Sequence, residues 1–292
     1  MATLNKQVWV DQILNGFYPD ASFLKYAKDF SALVDNDKIN MGAAGVDPNV
    51  LINNTTYPIN SSQRVDTAIS IELDKFETEN TIIRRPEVLE YSYDQMESVI
   101  YAHRLSLRTK TAEKAAHAYA PITDGEYHPV ITTTGAVVNG RKRLLFEDII
   151  TLKSRFDQVE IPQENRYLVL APEHVTDLLL EDIKLFKDLT NIKGGVPYNF
   201  AGFYMLQFSR MPKYALADSV WTKVAFGETT DSKNFASFAF QSEEVMKADG
   251  DLFMYATEND AKERGTIIGF DKRFIALPMR DKGIGAIISD NG

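Results

Sequence analysis

The four histidines, His103, His117, His128 and His174, are the residues best suited to metal or acid–base chemistry. His103 and His117 stand fourteen positions apart, which on one helix separates them by about 21 Å, so they cannot share an ion. None lies in an H-E-x-x-H pattern, and with no cysteine in the chain no thiolate can complete a zinc set. Partly buried or surface histidines are the plainer reading. The missing cysteine also removes disulfides and a thiol nucleophile, and suits a reducing cytoplasm. There is no G-x-S-x-G elbow, no Walker-type loop and no G-x-G-x-x-G; Gly283-Ile284-Gly285 is a fragment in an apolar tail that reads as strand. Glu243-Glu244, and Asp249 with Asp251, could form an acid–base or cation pair, which makes a carboxylate-based hydrolase the enzyme alternative. Solvated loop charge is the simpler reading of such runs. No catalytic, cofactor or metal site is expected.

Two further sets of residues could act through surfaces. Arg141-Lys142-Arg143 is the densest basic run and could face nucleic-acid phosphates or an acidic neighbouring subunit. A solvated turn before a helix is its plainer reading. Ile69, Ile71 and Leu73 alternate with Ser70, Glu72 and Asp74, which gives an extended segment one apolar face. A ribbon of this kind is barely stable alone in water, so its stripe calls for a cover.

The elements that must position these residues can be read along the chain. Residues 1–50 are polar, with apolar patches at Phe17, Tyr18, Phe23, Leu24 and Tyr26. Gly42, Gly45, Pro48 and Pro58 mark turns. The extended region runs on to Ile82, Ile83 and Arg84. Pro86 then opens a helical pattern in which Leu89, Tyr93, Met96, Ile100, His103 and Leu107 recur at steps of four and three, continuing through Thr111, Ala115 and Ala118 until Pro121. Such a helix is about 50 Å long, close to the diameter of a compact ball of this chain length. It predicts a flat, elongated subunit whose neighbours finish its burial. Strands are expected at Val130–Thr134, Tyr167–Leu170, Gly202–Phe208, Val224–Phe226, Phe235–Phe240, Thr266–Phe274 and Ile284–Ile288. Helices are expected from Leu144 to Phe156 and after Pro172. The mixed order makes the class α+β.

Composition limits the partners. The chain has 32 basic and 41 acidic residues, a net charge of −9, so any DNA contact should be weak, local and non-specific. No run approaches the ~18 apolar residues of a membrane span. Met1 to Asp20 carries Lys6 and Asp11 and lacks the apolar core of a signal peptide.

The order of an N-terminal arm, a two-stranded ribbon, a very long helix, a strand–helix–strand unit and a returning tail resembles tailed-phage major capsid proteins. Their fold, the Hong Kong phage type, is shared with encapsulins. The wording agrees along nearly the whole chain. Arg166-Tyr-Leu-Val-Leu-Ala-Pro-Glu-His174 is similar to the first strand and helix of the axial domain, and Ala201-Gly202-Phe203-Tyr204 to its next strand. Phe235–Phe240 with Ser242–Gly250 resembles the strand and short helix that leave it, and Met279–Ile287 resembles the closing peripheral strand.

The resemblance implies an arm at 1–46, an extended loop at 47–84, a peripheral domain with spine helix at 85–156, an axial domain at 157–245 and a peripheral return at 246–292. It implies a virion capsid assembled in the host cytoplasm from hexamers and pentamers of this chain around double-stranded DNA. Its partners would be a portal and a separate scaffold or decoration protein, because no long scaffolding extension precedes the arm. No maturation cleavage and no membrane contact are expected. An encapsulin-type shell is the alternative. Ile69, Ile71, Leu73, Met96 and Ile100 would line the assembly interface. Some relatives weld loop lysine to asparagine, and Lys75, the only lysine between Lys38 and Lys110, is the one match to that lysine.

Overall fold

A computed structural model describes residues 23–35, 37–43, 67–84, 95–181, 192–193, 196–197, 199–228 and 234–290. After a 3-10 turn at Phe23–Tyr26 come β1 (Lys28–Asp29), β2 (Val34–Asp35), β3 (Lys38–Ala43), β4 (Thr67–Glu72), β5 (Asp74–Glu77) and β6 (Thr81–Arg84). The helix α1 (Gln95–Tyr119) follows, then β7 (Val130–Thr132), β8 (Val137–Val138), β9 (Arg141–Lys142), α2 (Phe146–Gln158), β10 (Arg166–Leu170) and α3 (Pro172–Glu181). The rest is strand: β11 (Ile192–Lys193), β12 (Val196–Pro197), β13 (Asn199–Phe200), β14 (Phe203–Gln207), β15 (Tyr214–Ala217) and β16 (Val220–Lys223) lead to β17 (Ala236–Gln241), β18 (Val245–Asp260), β19 (Gly265–Pro278) and β20 (Ile284–Ile288).

Local chemistry accounts for the boundaries. In α1, Thr111 lies fully buried, and its hydroxyl donates to the Leu107 carbonyl at 2.8 Å, so a polar side chain enters the core without an orphaned group. Pro121 ends the helix. Asp148 in the first turn of α2 accepts the Leu145 N–H at 2.9 Å and the Thr134 hydroxyl at 2.6 Å, which caps α2 and ties it to the segment after β7. Pro172 opens α3, where its missing N–H costs nothing. Asn139 and Gly140, at φ 54° and 73°, make the positive-φ turn that closes the β8–β9 hairpin.

Two main sheets carry the fold. The larger has six strands in the order β13-β14-β10-β17-β20-β7, with β10 parallel to β14 and antiparallel to β17. Every residue of β10, β17 and β20 is buried, so both faces of this sheet are covered. Ile149, Leu152 and Phe156 of α2 with Val175 and Leu178 of α3 pack one face. Ala115, Ala116 and Tyr119 from the end of α1, with Phe23 and Leu24, pack the other. The second sheet runs β1-β18-β19-β5, with β6 also on β19. Met254, Ile268 and Phe270 bury its inner face on Ile100 and Leu107 of α1. A small sheet, β2-β3-β4, sets Ile39 opposite Ile71.

Several expectations are corrected, whereas the spine is described only in part. The described spine spans 25 residues, about 37 Å; its expected start at Pro86, with Leu89 and Tyr93, lies outside the described residues. Among the described residues the ribbon has three strands, β2, β3 and β4, and residues 74–77 and 81–84 leave it to pair with β19. The short helix expected within 242–250 is one 3-10 turn, Ser242–Glu244, followed at once by the 16-residue β18. Long pairing with β19 overrides the local pattern there. The strand expected at Val224–Phe226 lies earlier, at β16, because Asp218 and Ser219, both at positive φ, close a tight hairpin that fixes its register to β15. Ile284–Ile288, expected to close the peripheral domain, pairs with β17 and β7 and completes the six-stranded sheet. Its backbone finds its partners there, across the boundaries drawn from sequence.

Candidate functional site

The apolar stripe of the ribbon divides between two fates. Leu73 is 5% exposed and packs with Ile39, Met246, Ala248 and Ile275 of the same chain. Ile71 is half-buried at the rim of that cluster. Ile69 is placed opposite Met41 by the strand register, and its side chain lies outside the described residues. On the spine, Ile100 is 3% exposed beneath Met254 and Phe270, with Met96 partly covered beside it. Leu73 and Ile100, expected at the assembly interface, are therefore core residues of the subunit. Periodicity identifies a face that must be buried, and it does not say which chain buries it. The large apolar spine residues that reach solvent, among those described, are Tyr101 and Leu105, one turn apart on the opposite face.

The basic run sits on the β8–β9 hairpin, and two of its three charges are engaged within the chain. Arg141 grips Asp177 of α3 with both guanidinium nitrogens, at 2.6 and 2.9 Å, and the same carboxylate accepts the Leu144 N–H at 3.1 Å. Asp177 is 3% exposed, so this pair is interior structure. Lys142 reaches Asp290 at 2.6 Å and ties the hairpin to the C-terminal segment. The side chain of Arg143 is half-buried and has no partner among the described residues. The expected solvated turn is in fact a clamp between α3 and the tail, a role that charge density alone could not reveal because Asp177 lies 36 positions away.

The histidines stay apart. His174 is fully buried with Nδ1 2.6 Å from the Ser237 hydroxyl, and burial, with the Arg141 charge nearby, pushes its pKa down to about 3. His103 lies on the inner face of α1 against the Phe270 ring, and burial lowers its pKa. His117 bonds the Val224 carbonyl at 2.7 Å and His128 the Asp281 carbonyl at 3.2 Å. Among the described residues no three His, Asp or Glu side chains gather as metal ligands. Of the carboxylates read as solvated loop charge, Asp251 is exposed and Glu243 meets Lys28 at the surface at 3.2 Å, whereas Glu244 is buried and held by Arg280 at 2.8 and 3.1 Å, and Asp249 meets the buried Lys272 at 2.6 Å.

Lys75 lies on β5 between Glu77 at 2.5 Å and Asp271 at 3.5 Å. It borders an open groove of about 640 Å³ between the β5–β6 turn and α1, with His103, Ser106 and Lys110 on the helix side. Phe23 and Tyr26, expected in the arm, also find partners within the chain. Phe23 meets Phe208 and Phe238 edge-on at 5.3 and 5.4 Å, and Tyr26 stacks on Tyr167 at 4.3 Å. No helix among the described residues is long and apolar enough to cross a membrane.

No protein-family model and no curated protein sequence matches the chain. Solved structures do. The capsid of the cyanophage P-SCSP1u is similar at a TM-score of 0.66 and 14% identity, over 94% of this chain and 90% of the other. A structure from Mycobacterium phage Che8 follows at 0.64 and 12%, over 92% and 91%. The holo-SrpI encapsulin complex of Synechococcus elongatus PCC 7942 is similar at 0.62 and 10%, over 95% and 89%. The order of ribbon, spine and two mixed sheets is thus the α+β fold shared by phage capsid subunits and encapsulins.

Proposed function

We propose that this protein is the major capsid protein of a tailed phage, a non-enzymatic subunit that assembles as hexamers and pentamers into the icosahedral shell around double-stranded DNA. The observation that carries the reading is fold likeness to a phage capsid along 94% of the chain. Tyr101 and Leu105, half-exposed on the outer face of the spine, are apolar surface that a neighbour would cover. In this reading residues 1–46 are the arm, 47–84 the extended loop, 85–156 the peripheral domain with its spine, 157–245 the axial domain and 246–292 the return, with β7 and β20 lending their strands to the axial sheet. Ile69, Ile71 and Met96 remain the interface candidates, and Arg143 the DNA-facing one. A portal and a scaffold or decoration protein would complete the particle in the host cytoplasm.

An encapsulin-type compartment is the second reading, supported by likeness to an encapsulin over 95% of the chain. Sedimentation and negative-stain microscopy of the purified protein test both. Megadalton shells, or capsomers that close when a scaffold is supplied, are expected. DNA and a portal vertex in native particles mark a phage, and a packaged enzyme marks an encapsulin. A protein that stays monomeric at high concentration overturns the proposal.

A further inference from the structure

The strand β18 has an outer edge that no other described strand covers along most of its length. On the side away from β19, among the described residues only Met246 and Lys247 pair with another strand, β1. The direction of the remaining backbone groups follows from β19. Phe270 donates its N–H to the Thr78 hydroxyl and accepts the Thr78 N–H, each at 2.9 Å, so its backbone faces β5 and not β18. Met254 lies opposite Phe270. Antiparallel alternation therefore turns the N–H and C=O of Met254 outward, and those of Leu252 and Ala256 with them. No strand among the described residues takes up these groups.

The sequence over this edge, Leu252-Phe-Met-Tyr-Ala256, has no charge and no proline. Phe253 and Tyr255 are 53% and 58% exposed on the face away from α1. Edge strands of natural sheets are commonly guarded by lysine, proline or a bulge. Here register shifts lie only at the two ends, at Asp249/Leu252 and Thr257/Asp260. A flat apolar stretch with outward amides is left between them.

We propose that this edge pairs antiparallel with the same edge of a second copy, about a two-fold axis through Met254. The inference rests on the shell reading and names one contact within it. In that register Leu252 faces Ala256 of the second copy and Met254 faces its own equivalent. Every outward group then finds a partner, in about six backbone hydrogen bonds. Phe253 falls opposite Tyr255 on the exposed face, an aromatic cross-strand pair made twice by symmetry. Asp251 falls opposite Thr257, and no like charges meet. Moving the axis one residue either way sets Leu252 against Glu258 or Asp251 against Tyr255. The edge is complementary to itself, as an isologous contact requires. This self-complementarity is what selects a second copy over another protein as the occupant.

The cysteine-free chain makes the test direct. Phe253→Cys and Tyr255→Cys, made separately and tagged to differ in mass, are co-assembled and oxidised. Directly opposed positions of this kind lie about 4.5 Å apart between Cα atoms, within disulfide reach, whereas residue 253 and its own equivalent are diagonal at roughly 7–8 Å. Mixed particles should yield the heterodimer, and particles of either variant alone should yield little. Ala256→Pro, which removes an outward N–H that the lone subunit does not use, should lower particle yield and leave the melting of the subunit unchanged. Particles that form without the heterodimer, single variants that cross-link as well as the mixture, or normal particles from Ala256→Pro each overturn the pairing while the shell reading stands. If the unmodified protein stays monomeric and forms neither particles nor capsomers, the shell reading falls and the pairing falls with it.

Discussion

His174 sits inside the six-stranded sheet's helical cover with no exposed surface, between the Ser237 hydroxyl at 2.6 Å and the Phe235 ring at 5.0 Å. Protonating it would place a cation in an apolar pocket beside the Arg141 guanidinium, which already holds Asp177. Desolvation first, and Arg141 second, push its pKa from 6.5 to about 3. The folded state therefore refuses a proton that the unfolded chain accepts below pH 6.5. This contribution to stability is complete above that pH and is lost as pH falls from there toward the folded value. The slope is about 1.4 kcal/mol per pH unit. Between pH 7 and pH 4 the loss amounts to roughly 3 kcal/mol, a large share of the 5–15 kcal/mol typical of a folded protein. Urea melts of the subunit and of His174→Gln at several pH values isolate the effect, because all other titrations cancel in the difference. The variant should be less stable at pH 7 and approach the parent as pH falls. Parallel pH curves for the two proteins, or an imidazole that titrates near 6.5 in the native state by NMR, would refute the reasoning.

Leu73→Ala should cost the isolated subunit about 2–5 kcal/mol in denaturant melts, because the side chain fills an intramolecular cluster; an unchanged melt would move Leu73 to an assembly contact. Ile71→Lys, at the half-exposed rim of that cluster, should cost well under the ~1.5–3 kcal/mol of a fully buried side chain and show itself in particle yield. Unfolding of this variant would assign Ile71 to the subunit core. Arg141→Ala should destabilise by about 3–5 kcal/mol, with or without DNA, since it leaves the buried Asp177 carboxylate unpaired; a melt within experimental error of the parent would count against the pair. Arg143→Ala should change stability by no more than about 0.5 kcal/mol and reduce the genome content of particles, and unchanged content would leave Arg143 an ordinary surface charge.

Local signals reached most of the secondary structure. Pro172, the Asn139-Gly140 turn, the stop at Pro121 and the apolar steps at Ile100, His103, Leu107 and Thr111 mark features that the chain adopts. What they could not reach was decided by partners distant in sequence. The segment after Glu244 looks like a helix start until β19 pairs along it. Ile284–Ile288 reads as a strand from composition, but only β17, about fifty positions earlier, decides which sheet it enters. The candidate surfaces were less legible for the same reason. An apolar stripe such as Ile71 and Leu73 has the same spacing whether its own subunit or a neighbour covers it. The open edge of β18 has no local signature beyond an unguarded apolar run, because an edge exists only once a sheet order exists.

The distribution of charge narrows what can hold a shell of such subunits together. The buried or nearly buried cations are engaged at home: Arg141 with Asp177, Arg166 with Asp157 at 2.7 Å, Lys247 with Asp29 at 3.2 Å and Lys272 with Asp249. These pairs join elements of one chain, so they offer little to a neighbour or to a phosphate. With a net charge of −9, like subunits repel one another and any enclosed DNA. Both repulsions are screened beyond about 8 Å at physiological salt. In the proposed shell, contacts that carry no charge are then the favoured source of cohesion. Among the described residues they include the outward amides of Leu252, Met254 and Ala256, the rings of Phe253 and Tyr255, and the spine pair Tyr101 and Leu105. A shell built this way should tighten as salt rises, because screening removes the repulsion and leaves the apolar and backbone contacts intact. An ion-pair-driven shell would loosen under the same change.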